Sequence, residues 1–269
     1  MINSNEIQKV NFLTNDEILE KTPSIFTKTP SNEVSKHYTH IPTIKVIEDM
    51  RTLGWDVINT QEVNARKGKG FQKHLVVFRN NDIVINGSDG DIVYPQILLT
   101  NSHDGKNSFK FQAGLFRLVC SNGLVIATTQ FEAVKMRHMG YTFEELQINI
   151  REMVEKLPLT VESMNKMKST EIEQEKAIDF AKECLKTRFK EDELKRIKID
   201  INDLLTPTRP EDQGKDLWSI FNVVQEKIID GDFKYISGGK VRKARRIKNF
   251  IQDQKVNSEL FEVALNYTE

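Results

Sequence analysis

Between Trp55 and Gln112 the sequence alternates short runs of strand-forming residues with separators rich in glycine, asparagine, aspartate and lysine. Separators of this composition favour tight turns, and short runs joined by tight turns favour antiparallel strands that follow one another. The pattern excludes an all-helical fold and predicts an antiparallel β-meander. The five predicted strands are Trp55–Val63, Gln72–Phe78, Ile83–Ile85, Ile97–Thr100 and Ser108–Gln112.

Helical patterns surround this segment. Thr142 and Glu145 have the spacing of a capping box, in which each side chain satisfies a backbone N–H at a helix start, and an apolar stripe then extends to Pro158. The segment Gly114–Ala127 is ambiguous, and we predict a short helix over Leu115–Cys120 followed by a buried strand. The other predicted helices are Thr43–Leu53, about Thr170–Phe189, an amphipathic helix from Leu217, a basic helix after Gly239 and a short last helix opened by Asn257.

Together these elements predict an α+β fold, with an antiparallel β-meander core packed by helices and a helical C-terminal region. Residues 1–36 are predicted to form an irregular N-terminal arm, because they contain two prolines and little periodicity. The α+β core is predicted over residues 37–198, a linker over 199–215 and the helical C-terminal region over 216–269.

The composition indicates an intracellular protein. Its two cysteines, Cys120 and Cys184, lack the paired spacing of a zinc site, so we expect no disulfide framework and a reducing compartment. The N-terminal segment has acidic residues where a secretory signal needs a positive end and an apolar block. No window approaches the run of about 18 apolar residues that spans a membrane. We therefore expect a cytoplasmic protein that makes no membrane contact.

The charges are equal in number but segregated along the chain. The 269 residues include 39 basic and 39 acidic side chains. Residues 63–81, 105–131 and 233–252 contain 5, 3 and 7 basic residues respectively and no acidic residue. Segregated charge creates local surface potentials even when the net charge is zero. Bulk neutrality therefore does not exclude an anionic partner.

The sharpest basic feature is SGGKVRKARR at residues 237–246. Cations in the first turn of a helix oppose its macrodipole, so a helix that begins here would favour a bound anion. Free backbone N–H groups and a Gly-Gly loop would suit a phosphate. The alternative is a solvated set of charges that pair with the acidic remainder of the chain. The residues predicted to contact nucleic acid here are Lys240, Arg242, Lys243, Arg245 and Arg246.

A second basic segment, RKGKGFQKH, occupies residues 66–74 between two predicted strands. Its cations would neutralise phosphates, and its aromatic ring would stack on an unpaired base. The spacing is not that of a phosphate-binding loop, because Gly70 follows Lys69 where such a loop has serine or threonine. The alternative is a flexible basic turn. The predicted contacts are Arg66, Lys67, Lys69, Phe71 and Lys73.

Metal and cofactor sites are weakly indicated. His37 and His40 have H-x-x-H spacing, but Pro42 is close and no carboxylate-bearing helix surrounds them. His103 lies in an Asn-Ser-His-Asp-Gly segment that also suits a plain turn. Arg117 lies between apolar neighbours, where it would need an ion-pair partner or belong to a site. We predict no metal and no cofactor.

Catalytic patterns are also weak. Cys120 lies in an apolar run, where thiols are usually inert, although it would pair with His103 if the fold brought them together. The turn residues Asp82, Asp89 and Asp91 would serve a metal-dependent nuclease only if they converged. The sequence therefore favours a non-catalytic protein.

Several short motifs occur along most of the chain: THIP at 39–42, GW at 54–55, NSHDG at 101–105, FRLVCSNGLV at 116–125, DLW at 216–218, FNVVQE at 221–226 and the later arginine-rich segment. Together these motifs resemble those of the phage- and plasmid-borne proteins grouped as domain of unknown function 932. The resemblance covers about residues 37–265 and implies a phage or mobile-element origin in a bacterial cell. It implies no activity and no catalytic residues.

Two functional hypotheses follow. The first is an accessory protein that binds nucleic acid, in particular single-stranded DNA, in replication, recombination or repair, with the two basic segments forming one groove. Its order of helix, strands and helix is similar to that of single-strand annealing proteins, which is an analogy of element order alone. The second is a non-catalytic module that binds a host enzyme or defence protein, with segregated charge complementing that partner or another copy in a homo-oligomer. An unrecognised enzyme is a third, weaker reading.

Overall fold

The computed structural model describes residues 10–35, 38–64, 69–86, 92–107, 109–117, 123–126, 134–136 and 141–268. The chain divides into two compact units. The first unit consists of Met1–Ile85, Val93–Phe116 and Phe131–Glu155. The second consists of Asn86–Ile92, Arg117–Gln130 and Lys156–Glu269.

Helices and strands alternate in the first half of the chain, and helices dominate the second. The described residues also form two short 3-10 helices, Pro23–Phe26 and Pro210–Asp212. In chain order the elements are α1 (Asn15–Lys21), α2 (Thr43–Thr52), β1 (Asp56–Glu62), β2 (His74–Arg79), β3 (Ile85–Asn86), β4 (Ile92–Asn101), β5 (Phe109–Arg117), β6 (Gly123–Ile126), β7 (Val134–Met136), α3 (Phe143–Ser169), α4 (Gln174–Arg188), α5 (Glu191–Leu194), β8 (Ile197–Ile199), α6 (Ile201–Leu205), α7 (Leu217–Asp230), β9 (Lys234–Ser237), β10 (Lys240–Lys243) and α8 (Phe250–Asn266).

The first unit is built on an antiparallel sheet. Strands β1, β2, β4 and β5 are neighbours in that order, and β7 pairs with β5. The register places Asp56 opposite Arg79 and His74 opposite Asn101. Every side chain of β2 is buried, so this strand lies at the centre of the unit. The predicted α+β class with an antiparallel β-meander core is confirmed.

Helix α2 follows from local signals. Pro42 precedes its first turn, and its buried face carries Val46, Ile47 and Met50. The helix ends before Gly54, whose φ of 82° lies in the left-handed region that glycine adopts without strain. The predicted helix at Thr43–Leu53 is thus confirmed within one residue.

The second unit is built around α7. This helix contacts α4, α6 and α8, and Trp218, Phe221 and Ile228 are among its buried residues. The Asp216 side chain caps its first turn, and Gly231 ends it with a φ of 70°. A three-stranded antiparallel sheet in the order β10-β9-β8 completes the unit. In the described part of the chain, no helix has the length and apolar character to cross a membrane.

Helix α3 is longer than predicted, because it continues through Pro158 to Ser169. A proline inside a helix removes one hydrogen bond and costs about 3 kcal/mol. The apolar stripe nevertheless continues beyond it, where Met164 and Met167 are buried. Tertiary packing of this stripe outweighs the local cost.

Other local predictions also differ from the structure. Leu115–Arg117 extends β5, so the short helix predicted there is wrong for these residues; residues 118–122 lie outside the described ranges. Helix α8 begins after Asn249, whose side chain caps it, rather than at Asn257. The arm predicted as irregular contains α1, and the predicted linker contains α6. The predicted domain boundaries stay predictions.

Candidate nucleic-acid interface

Strands β9 and β10 form a two-stranded hairpin that carries most of the basic residues singled out at 240–246. Its register pairs Ser237 with Lys240 across a two-residue turn, Gly238-Gly239. Both glycines have positive φ, 56° and 74°, as a type I′ turn requires. We refer to Lys234–Lys243 as the hairpin.

The helix predicted after Gly239 is wrong. Residues 240–243 are extended, and residues 244–249 are neither helix nor strand. Alternating side chains on both sides of two glycines favour a hairpin over a loop followed by a helix. The macrodipole argument for a bound phosphate therefore does not apply to this segment.

A basic groove lies along one side of the hairpin. It has a volume of about 700 Å³. Its walls combine four cationic side chains with two aromatic rings. The groove is lined by Arg188, Phe189, Tyr235, Arg242, Lys243, Ala244 and Arg245.

Arg188 is the fixed cation of this groove. Its guanidinium donates to the backbone carbonyls of Ile228 and Arg245. It also lies over two aromatic rings, 5.6 Å from the centroid of Phe189 and 5.5 Å from that of Phe233. Burial lowers the pKa of Arg188, and Tyr235 acts in the opposite sense. An arginine starts from a pKa above about 12, so the side chain stays cationic at neutral pH.

The predicted cations of this segment differ in how far they are neutralised. Lys243 contacts Asp232 at 3.0 Å, and this hydrogen bond lowers the pKa of that carboxyl. Arg246 lies 3.4 Å from Asp230. All five predicted cations are exposed. In the ranges that the structure describes, Lys240, Arg242 and Arg245 have no carboxylate within ion-pair distance.

Aromatic packing sets the shape of the groove. The ring of Phe189 meets those of Phe233 and Tyr235 edge-on, with centroids 6.2 Å apart in both cases. Phe233 is buried, whereas Phe189 and Tyr235 are half-buried. The two half-buried rings therefore present aromatic surface to the groove while the inner ring holds them in place.

The second predicted basic segment lies in the first unit. Of its predicted contacts, Arg66 and Lys67 lie outside the described residues. Lys69 is exposed, and Phe71 and Lys73 are half-buried. The Phe71 carbonyl accepts a hydrogen bond from the His103 backbone at 3.2 Å. One groove shared by this turn and the hairpin stays a prediction.

A buried cluster of polar side chains, the histidine cluster, lies at the ends of β2 and β4 in the first unit. Its members are Thr43, His74, Asn101 and His103, all fully buried. The Thr43 oxygen lies 2.8 Å from Nε2 of His74, 2.8 Å from Nδ2 of Asn101 and 3.3 Å from Nε2 of His103. One hydroxyl therefore holds together side chains from α2, both strands and the turn after β4.

The hydrogen bonds of His74 select one tautomer of its neutral ring. Its Nδ1 lies 3.1 Å from the Gln72 carbonyl, which only accepts, so Nδ1 carries the proton. In the neutral ring Nε2 then accepts the Thr43 proton. The Thr43 oxygen in turn accepts from the Asn101 amide and from Nε2 of His103. This pattern resembles a nucleophile with its base, but its full burial favours a structural role.

The chain before α2 covers the histidine cluster. The Ser24 hydroxyl lies 3.0 Å from Nδ1 of His74, and the Thr22 hydroxyl donates to that of Thr60 at 2.8 Å. The Ser31 amide donates to the His103 carbonyl at 3.0 Å. Residues from the predicted arm therefore complete the buried end of the sheet.

His103 belongs to an ordered turn. The Ser102 hydroxyl donates to Asp104 at 2.6 Å, and Asn107 donates to the Ser102 oxygen at 2.8 Å. The Asp104 carboxylate also accepts from the Lys106 backbone at 3.1 Å. These bonds fit the turn role that Asn-Ser-His-Asp-Gly indicated.

The structure describes only some of the other candidate residues. No group of three or more His, Cys, Asp or Glu side chains able to hold a metal ion occurs within the described ranges. His40 bonds the Thr27 carbonyl at 2.9 Å, and its ring centroid lies 4.8 Å from that of His103. Asp82 is exposed. His37, Asp89, Asp91, Cys120 and the side chain of Arg117 lie outside the described residues.

Sequence reasoning missed part of each site. The pattern KYIS-GG-KVRK is typical of a hairpin and would have pointed to Tyr235, but we read the two glycines as a phosphate loop before a helix. Arg188 and Phe189 close α4 and carry no local signal of a groove. Thr43 and His74 were missed because the sheet register and the start of α2 bring them to His103.

In comparisons with known proteins, the chain is similar in sequence to proteins whose activity is not assigned. The model of the family described as Domain of unknown function (DUF932) matches residues 31–260. The UPF0380 proteins YfjQ and YafZ of Escherichia coli (strain K12) are each 28% identical over 265 residues, which cover 97% of this chain and 93% of theirs. No solved structure matches.

Proposed function

The chain belongs to the DUF932 family, and we propose from its own geometry that it binds nucleic acid, with single-stranded DNA favoured. We further propose that it serves a phage or mobile element as an accessory protein in replication, recombination or repair. The observation that carries the proposal is the basic groove, where cations and aromatic rings line one cavity.

The cations of the groove suit phosphates. Arg242 and Arg245 are exposed, and no carboxylate within the described residues neutralises them. Arg188 is held at the groove wall by two backbone carbonyls, so little side-chain entropy is lost when it meets an anion. Guanidinium groups bind phosphates through paired N–H donors. The groove therefore supplies one anchored cation and further exposed cations for a polyanionic backbone.

The aromatic rings favour single strands over duplexes. Tyr235 and Phe189 are half-buried at the groove. Bases stack on such rings in proteins that bind single strands, with about 1–3 kcal/mol for each base. The faces of paired bases are covered by their neighbours in a duplex. A groove with both rings and cations thus fits an unpaired strand better than a duplex.

The test measures fluorescence anisotropy of a labelled oligothymidylate and of a matched duplex across a salt series. We expect the single strand to bind more tightly, with affinity falling as salt rises. For the double variant R242A/R245A, we expect the slope of log K against log salt to become shallower by about 1.4, since each lost phosphate contact removes about 0.7.

The matched control is K166A/K176A, which removes the same charge from exposed positions. Lys176 lies near the start of α4, about 18 Å along the helix from Arg188. We expect this control to keep the wild-type slope. If wild-type protein at micromolar concentration leaves the anisotropy of both oligonucleotides unchanged at 50 mM salt, where even non-specific binders respond, the proposal is wrong. The protein-binding alternative would then be favoured.

A further inference from the structure

The hairpin has a second face, of which only Lys243 also lines the basic groove. Side chains alternate between the two faces of a strand, so Tyr235 and Arg242 lie on one face while Ile236 and Val241 lie on the other. Ile236 and Val241 are directly opposite each other in the register. They are 43% and 68% exposed, whereas most residues of this type are buried. They form an apolar pair that is largely open to solvent in the described part of the chain.

Three lysines surround the apolar pair. Lys198 of β8 is opposite Ile236, and Lys234 is opposite Lys243 on the same face. Like charges directly across a strand pair are unfavourable. Asp232 offsets Lys243. Lys198 and Lys234 are exposed and have no ion-pair partner in the ranges that the structure describes.

The hairpin tip is accessible. A Cβ atom added to Gly238 or Gly239 would meet no atom within 4 Å. An extended ligand can therefore pass over the tip and reach both faces of the hairpin.

We infer that the apolar pair is a second contact surface for unpaired bases of a single strand, whose phosphates the surrounding lysines hold. This inference rests on the proposed function and specifies the part of the ligand that is recognised. Aliphatic side chains offer a phosphate neither a charge nor a hydrogen bond, but they can pack against the faces of bases. Only an unpaired strand exposes those faces. A second copy is a poorer occupant, because a twofold interface would set the three lysines of each copy against those of the other.

The test replaces Ile236 and Val241 by threonine. Both residues are exposed, and threonine keeps the branched Cβ that strands favour, so the hairpin should persist. We expect I236T/V241T to bind oligothymidylate about three- to tenfold more weakly, the loss expected for a modest apolar area. The slope of log K against log salt should be unchanged, because the phosphate contacts remain. I148T is the matched control, since Ile148 is 58% exposed on α3.

An abasic strand of equal length identifies the recognised group. Wild type should bind it more weakly than oligothymidylate, and the loss caused by I236T/V241T should disappear on it. An equal loss on both strands, or no loss on either, would overturn the inference while leaving the proposed function intact. A change in molecular mass of the double variant at assay concentration would also overturn it, because it would assign the apolar pair to a second copy. Wild-type protein that binds neither strand would reject the proposed function itself.

Discussion

Replacing Thr43 by valine tests whether one hydroxyl organises the histidine cluster. The change keeps the shape of the side chain and leaves no cavity, so its effect reports the lost hydrogen bonds. His74, Asn101 and His103 would each lose a bond to the Thr43 oxygen. All three are fully buried, and water cannot readily replace the hydroxyl.

The magnitude follows from these three bonds. A buried polar group that loses its partner costs about 1–3 kcal/mol. The rings can turn toward other polar atoms, so the lower end of the range applies to each. We therefore expect T43V to reduce the free energy of unfolding of the first unit by about 3 kcal/mol. That is a large part of the roughly 5–15 kcal/mol by which folded domains are stable.

Urea denaturation followed by tryptophan fluorescence provides the assay. The chain has two tryptophans, and Trp55 lies buried in the first unit. In a W218F background, the fluorescence change reports the first unit alone. T43S keeps the hydroxyl and should lose only about 1 kcal/mol for its methyl group. T52V, at an exposed position of the same helix, should change stability by less than about 0.5 kcal/mol.

The comparison of T43V with T43S decides the outcome. If their free energies of unfolding differ by less than about 0.5 kcal/mol, the hydroxyl is not the centre of the cluster. The same conclusion holds if T43V is no more destabilised than T52V.

Two further changes act in the second unit. Burial raises the pKa of Asp253 to about 6 from 3.8, so the folded state binds this proton more tightly and stability falls as pH rises from about 4 to 6. D253N should remove that dependence and add about 3 kcal/mol at pH 7, seen in urea titrations at pH 4 and pH 7; a pH dependence equal to that of wild type would contradict it. G231A should cost more than about 2 kcal/mol in urea titrations that follow Trp218 fluorescence, because φ is positive and a Cβ would lie 2.5 Å from the Arg245 backbone. G238A shares the positive φ but faces open space, so an equal cost would show that the clash with Arg245 is unimportant.

Local signals explain which elements the sequence predicted well. Helix α2 lies between Pro42 and Gly54, and α7 is opened by Asp216 and closed by Gly231. In both helices the caps and the apolar stripe agree. The strands of the meander were likewise marked by turn-forming separators.

The hairpin shows how two readings of the same glycines diverged. Gly238 and Gly239 suit a phosphate loop before a helix, and they equally suit a two-residue turn. The alternation of Tyr235 with Ile236 and of Val241 with Arg242 favours the turn. An interpretation that gave this alternation more weight than the basic composition would have predicted the hairpin.

The histidine cluster could not be predicted from the sequence, for a different reason. Thr43 is 31 residues from His74 and 60 residues from His103. Their meeting depends on the pairing of β2 with β4 and on where α2 begins. No local periodicity encodes such a register. The basic groove has the same origin, because Arg188 and Arg242 come from distant elements.

The segment that covers the histidine cluster affects the choice of end points for expression fragments of proteins in this family. The family match begins at residue 31 and ends at residue 260. A fragment with those limits would discard Ser24 and expose one side of His74 to water. It would also truncate α8 and delete Phe261 and Ala264, which are buried. Homology limits and folding limits therefore do not coincide here, and an expression fragment should start no later than Thr14 and extend past Asn266.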